Sequence, residues 1–330
     1  MLWFLCFKYI KTNKYRIIVL IFIITLWFYL INIFLKKLNK KKIEKFNNIY
    51  YDSNYDSNYD SKNISEKTIW MYWETLPNKI KPGYIDLCIN SVKHNCGNCF
   101  NIIILDNKNI YNYLPEIENM DLSKLNLPQK VDYYRYNLLE KYGGVWLDAD
   151  ILVIKCICPF YKKLNSSDYV GFGCGHDLNT CSKTLNGYSR PLNWFMISKK
   201  NTPFIKCVKN KAEKKINDLN IYNKKISYHG IGKDILQECY NNMNKDSIWK
   251  YEHIPSKCQE FDTKGNKLNN IMIKFDWEDC EEERIFFPLY NTAPGYPDWF
   301  KELTEEELKN NDSYLKPLID KAFEIKDVCN

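Results

Sequence analysis

The chain has 330 residues, 45% of them hydrophobic and 15% aromatic, which is enough to bury the core of one large or two modest domains. Its net charge of +7 does not indicate nucleic acid, because ten of the 47 basic residues and only one acid fall in the first 45 positions. The remainder carries 37 basic against 39 acidic residues, a net of −2, so no nucleic-acid partner is expected.

Residues 1–16 form a short basic tail. Residues 17–35, "IIVLIFIITLWFYLINIFL", are apolar except for Thr25 and Asn32. At 1.5 Å per residue this run just crosses ~30 Å of hydrocarbon. It starts late for a signal peptide and lacks a small-residue cleavage site, so it is expected to be an uncleaved signal-anchor, with a buried core helix as the other reading. Four basic residues precede it and six follow closely, a count that mildly favours a cytosolic body. Residues 36–66 contain "YDSNYDSNYDS", a four-residue polar repeat that cannot pack a core and reads as a stem.

The body is expected to occupy residues 67–330 as one domain. "KTIWMYW" (67–73) is β-branched and aromatic, hence a strand. Ile85, Cys88, Ile89 and Val92 recur at i, i+3, i+4, i+7, a helix. "FNIIILD" (100–106) reads as a buried strand, and "NKNIYNYLP" as a short helix stopped by Pro115. Residues 128–142 predict a helix with Pro128 in its first turn and an apolar stripe of Val131, Tyr134, Leu138, Leu139 and Tyr142. Gly143 and Gly144 close it, and a strand follows over 145–148. This alternation predicts an α/β domain with a mostly parallel sheet flanked by helices. Farther on, residues 191–215 read as strand, turn and helix, and residues 230–243 as a helix opened by a Gly-x-Gly. That Gly-x-Gly is weak evidence for phosphate binding. Thr304 and Glu307 have the spacing of a capping box.

Thirteen cysteines are many, and twelve follow the apolar span. Cys96-Gly-Asn-Cys99 and Cys156-Ile-Cys158 lie nearly sixty residues apart, a poor match to zinc-knuckle spacing, so disulfides and buried thiols both stay open. Asn63, Asn165 and Asn311 begin glycosylation-type triplets.

The chemistry is concentrated in "YGGVWLDADILVIK" (142–155). Asp148 and Asp150 share a side if the strand persists through them, or flank its edge if it ends there. A close pair of oxygen ligands suits a hard divalent cation, Mn²⁺ or Mg²⁺, together with substrate phosphate oxygens. An isolated Asp-x-Asp is more often a pair of solvated strand-end acids. One helix upstream, Asp132 and Arg135 stand at i, i+3 and share a face, where the local reading is a modest ion pair.

Taken together, Asp132-x-x-Arg135, Leu139, Gly143-Gly144 and Asp148-Ala-Asp150 resemble the signature of glycosyltransferase family 32, whose members include capsular polysaccharide transferases and a fungal Golgi α-1,6-mannosyltransferase. "TIWMYWETLP", "CINSVKHN" and "FNIIILD" resemble that family's start, and the resemblance covers residues 67–155 well. It implies a GT-A-type nucleotide-diphospho-sugar transferase fold, a nucleotide-sugar donor, Mn²⁺ or Mg²⁺, retention of configuration, and a glycan, glycolipid or glycoprotein acceptor. Carried over by residue, Asp148 and Asp150 would hold the cation and contact the donor, and Asp132 and Arg135 would hold the donor sugar and its phosphate. Gly144 falls at the donor, and Trp70 would line the base pocket, although a strand tryptophan is as often core. The family's late histidine, asparagine or serine has no histidine counterpart in "FPLYNTAPGYPDW"; Asn291 stands as the candidate third ligand. The layout of anchor, stem and body is that of a type II Golgi enzyme with a lumenal domain, against the charge count. A haloacid-dehalogenase-like phosphohydrolase and an inactive sugar-nucleotide-binding scaffold are the alternatives.

Overall fold

The structure is a computed structural model that describes residues 23–28, 30–31, 64–174, 191–253, 286–289, 298–311 and 315–324. The chain divides into two units, Met1–Asp60 and Ser61–Asn330. In the first, residues 23–28 and 30–31 are helical. Among the described residues no helix is long and apolar enough to cross a membrane, and most of the expected span 17–35 lies outside them.

The second unit begins with β1 (Thr68–Tyr72), α1 (Gly83–Cys96) and β2 (Asn101–Leu105). A short α2 (Ile110–Tyr113) and a 3-10 turn (Pro115–Asn119) lead to α3 (Leu127–Tyr142), then β3 (Gly144–Leu147) and β4 (Ile151–Val153). There follow α4 (Cys158–Tyr161), β5 (Tyr169–Cys174), β6 (Pro191–Ser198), α5 (Pro203–Tyr222), α6 (Lys233–Asn242) and β7 (Ile248–His253). β8 (Phe286–Pro288), α7 (Asp298–Glu302), α8 (Glu305–Asn310) and α9 (Lys316–Glu324) complete the described elements.

The main sheet runs β2-β1-β3-β6-β5-β7. β1 pairs parallel with β2 and β3, β5 with β7, while β6 runs antiparallel between β3 and β5. The expected mostly parallel α/β sheet is therefore present, with one reversed strand inside it. Alternation along the strands fills two cores: Ile69, Met71, Val145 and Leu147 face one side, Trp70, Tyr72 and Trp146 the other. α1 covers the first side with α8 and α9, and α3 the second with α5 and α6. The buried Asn95 amide ties the first side together, donating to Val153 O at 2.9 Å and Ala322 O at 2.8 Å.

Several local expectations change. β2 is the sheet edge, with Asn101 exposed, rather than a buried strand, because nothing pairs beyond it in the described sheet. The 128–142 helix is extended by a cap, in which Asn126 Oδ1 accepts from Gln129 N and Gln129 Oε1 accepts from Asn126 N. The capping box at Thr304 and Glu307 forms as expected.

The turn from α3 into β3 depends on two glycines. Gly143 has φ +72 and Gly144 φ +93, conformations that side chains with a Cβ rarely adopt. A Cβ on Gly144 would stand 2.4 Å from Thr68 O, so its absence lets β3 close against β1. Gly144→Ala is expected to destabilise the unit by more than about 2 kcal/mol, combining left-handed strain with a backbone clash. The shift of the urea midpoint followed by tryptophan fluorescence measures it.

Candidate active site around a buried arginine

One guanidinium gathers the polar side chains predicted from sequence. Arg135 Nη2 lies 3.2 Å from Asp132 Oδ1 and Arg135 Nη1 lies 3.3 Å from Asp148 Oδ1. Nη1 also donates to the carbonyl of Asn193, and the guanidinium sits over the Trp146 ring, 4.8 Å from its centroid. The side chains of Arg135 and Asp132 are only 6% and 9% exposed. The intrahelical pair is therefore a buried one, and removing Arg135 would leave the Asp132 and Asp148 carboxylates uncompensated, at a cost of about 3–5 kcal/mol.

Each carboxylate has a further donor. Asn193 Nδ2 donates to Asp132 Oδ1 at 2.7 Å, and Trp146 Nε1 donates to Asp148 Oδ1 at 2.7 Å. Asp148 lies just beyond β3, where its amide donates to Trp194 O at 2.9 Å. The strand ends at Leu147, and Asp148–Asp150 form the turn into β4, so the acids flank a strand edge rather than share a strand face. They lie at the carboxyl end of β3, where α/β sheets bind ligands. The Asp148 side chain keeps 30% of its surface exposed, so the buried network opens to solvent at this turn. Asp150 is half-buried and pinned by Leu289 N donating to its carbonyl at 2.9 Å.

Burial governs the protonation of the group. It pushes the Asp132 carboxyl up to about 6; Arg135 opposes this, Asp148 adds to it, and the Asn193 hydrogen bond opposes it. Asp148 is raised for the same first reason, against Arg135 and the Trp146 hydrogen bond. Burial alone would lower Arg135, but Asp148 and Asp132 outweigh it and hold the guanidinium charged. Asp150 acts at longer range, raising Tyr84 on α1 after burial has done so.

The other sequence expectations fare differently. Trp70 is fully buried in the core, donates Nε1–H to Gly143 O at 3.0 Å and packs on Tyr113 and Tyr142. Gly144 stands at the amino end of β3, the acids at its carboxyl end, and its lack of a Cβ lets β3 pack against β1. Asn291 lies outside the described residues. Asn193 was not read from sequence, and Gly232, the second glycine of the Gly-x-Gly, stands beside Asn193 and Asp132: a Cβ on Gly232 would meet Asp132 Oδ2 at 2.6 Å and Asn193 Nδ2 at 2.9 Å. The one sequence signal for Asn193 is a polar residue between Leu192 and Trp194 in a strand.

The distant cysteine pairs meet. The sulfurs of Cys99, Cys156 and Cys158 lie within 4.8 Å of one another, and Cys156 contacts Cys96. Among the described residues this is the one group of three or more metal-ligand side chains at that spacing. Cys99 is already disulfide-bonded, so the group does not present a full set of thiolates to a metal. A second disulfide joins Cys207 to Cys239.

The family model described as capsular polysaccharide synthesis protein matches residues 25–290, and the chain belongs to that family. No curated protein matches the chain by sequence. Among solved structures it is similar to the PaToxG glycosyltransferase, at 16% identity over 54% of this chain and 70% of that one, with a TM-score of 0.35. It is also similar to a galactosyltransferase, LgtC, in complex with donor and acceptor sugar analogues, at 14% identity over 59% and 75% of the two chains, with a TM-score of 0.33. At these scores the two structures add nothing to the functional reading below.

The raised Asp132 carboxyl has a measurable sign. Between its ordinary value of 3.8 and about 6 the folded chain holds a proton that the unfolded chain releases, so stability falls as pH rises through that window. The loss amounts to about 3 kcal/mol at 1.36 kcal/mol per pH unit. Asp132→Asn is expected to flatten this part of the profile, measured by urea unfolding in EDTA at a series of pH values from 3.5 to 7.

Proposed function

We propose that this chain is a membrane-anchored glycosyltransferase that moves a hexosyl group from a nucleotide-sugar donor to a glycan, glycolipid or glycoprotein acceptor. The observation that carries the reading is the buried Asp132–Arg135–Asp148 network, which opens at the Asp148–Asp150 turn on the carboxyl edge of the sheet. Membership of a capsular polysaccharide synthesis family is consistent with sugar transfer as the activity.

The donor set fits a hard cation. Asp132 and Asp148 flank one guanidinium, and Asp150 stands two residues after Asp148 in the half-buried turn. Asp148 and Asp150 would hold Mn²⁺ or Mg²⁺, which supplies charge neutralisation for a departing nucleoside diphosphate. Arg135 has a different task from grasping phosphate directly. Its Nη atoms are already engaged by Asp132, Asp148 and the Asn193 carbonyl, so it holds the two carboxylates in register. Asp132, backed by Asn193, faces the donor sugar. With retention of configuration, the leaving diphosphate assists the acceptor hydroxyl and no dedicated base is needed.

The phosphohydrolase alternative is not favoured, because the family the chain belongs to is one of capsular polysaccharide synthesis. A type II placement with the body in an oxidising lumen is favoured over the charge count, because disulfides such as Cys207–Cys239 persist in oxidising compartments.

The test is a donor panel, GDP-mannose included, on the full chain in detergent micelles with Mn²⁺. Release of nucleoside diphosphate should depend on the cation and fall by about 100-fold or more in Asp148→Asn, Asp150→Asn. Equal turnover by both proteins, or hydrolysis of a generic phosphate ester in place of donor, would sink the reading.

A further inference from the structure

The site has a wall made by a segment that comes late in the chain. Residues 227–232 lead into α6, and Gly232 stands at its N-cap with no side-chain cap bond. This segment touches the network closely enough that a Cβ on Gly232 would reach Asp132 Oδ2 at 2.6 Å and Asn193 Nδ2 at 2.9 Å. Other helices grip it by its carbonyls. Gln129 Nε2 donates to Ser227 O at 3.2 Å, Tyr136 Oη–H to Ile231 O at 3.1 Å, and Lys215 Nζ to Gly230 O at 2.9 Å. Gln129 and Tyr136 belong to α3, which also carries Asp132 and Arg135.

α6 has ten residues, a length at which a helix holds its place by packing rather than by its own propensity. Its buried face presents Ile235, Leu236, Cys239 and Tyr240. Cys239 is bonded to Cys207 of α5, across a sequence separation of 32. The disulfide therefore ties the wall to α5, which packs on α3, the helix that carries Asp132.

We infer that the Cys207–Cys239 disulfide and Gly232 are a positioning device: the disulfide seats α6 so that Gly232 presses on Asp132 and Asn193, and donor binding is therefore redox-dependent. This rests on the glycosyltransferase reading for its functional half. Reduction is a defined exchange. A dithiol attacks the Cys207 sulfur, which is the partly exposed one, the S–S bond breaks, and Cys207 and Cys239 each gain a hydrogen while the dithiol becomes its own disulfide.

Hydrogen exchange by mass spectrometry on the full chain in detergent tests the mechanical half directly. In Cys207→Ser, Cys239→Ser, amides of residues 230–236 and of the segment around Asn193 should exchange at least about ten-fold faster, while those of β1 and α1 stay as protected as before. Should the double variant fold poorly, a dithiol added to folded wild type provides the same comparison. The donor KM, taken from the donor that the panel identifies, should rise about ten-fold with kcat altered far less, and Gly232→Ala should raise KM without loosening α6. Exchange that rises throughout the unit, or a lowered melting temperature with unchanged exchange near Asn193 and unchanged KM, overturns the inference and leaves the disulfide a plain structural bond. If the oxidised wild type turns over no donor, the glycosyltransferase reading fails, and the exchange pattern still decides whether α6 is seated by its disulfide.

Discussion

A guanidinium taken out of water is tolerated only where each side of it meets a partner, and Arg135 sets that condition for the whole site. Two carboxylates, one main-chain carbonyl and one indole face surround it. These come from α3, the end of β3 and β6, so no one of the three can shift without exposing a charge to an apolar neighbour. The scaffold serves that requirement. The Asn126–Gln129 capping box starts α3, Gly143 and Gly144 reverse the chain without a clash, and the β3–β6 register brings Asn193 beside Asp132.

The same constraint explains why two aspartates can follow a core strand. Asp148 is half inside, its Oδ1 shared by Arg135 and Trp146, and half in solvent. Asp150 sits two residues farther along the turn, with its carbonyl accepting from the amide of β8's neighbour Leu289. Burial raises the two carboxyls of the network, and the arginine limits the rise. A polar group so balanced is sensitive to any added charge, which is the property a cation-assisted site needs.

Much of this was legible before any coordinates. The i, i+3 spacing of Asp132 and Arg135, the glycine pair and the apolar run into Asp148 each report a local rule, and each element formed within a residue or two of its expected bounds. What was not legible depends on contacts distant in sequence. Asn193 lies 61 residues from Asp132, and Cys96-x-x-Cys99 meets Cys156-x-Cys158 only because α1 packs on β4. For Trp70 the strand is legible but the side it faces is not, since that depends on Tyr113 and Tyr142 packing against it. β5 and β7, "YVGFGC" and "IWKYEH", are short and are missing from the elements expected from sequence; they pair parallel with each other across nearly eighty residues.

The central claim is that Asp148 and Asp150, organised by Arg135, form a cation-dependent site for a nucleoside diphosphate. Calorimetric titration of the full chain with a set of nucleoside diphosphates, in Mn²⁺ and again in EDTA, tests this most directly. Binding of at least one nucleotide in Mn²⁺ that vanishes in EDTA and in Asp148→Asn agrees with the account. Binding that persists undiminished in EDTA, or that survives in Asp148→Asn, contradicts it.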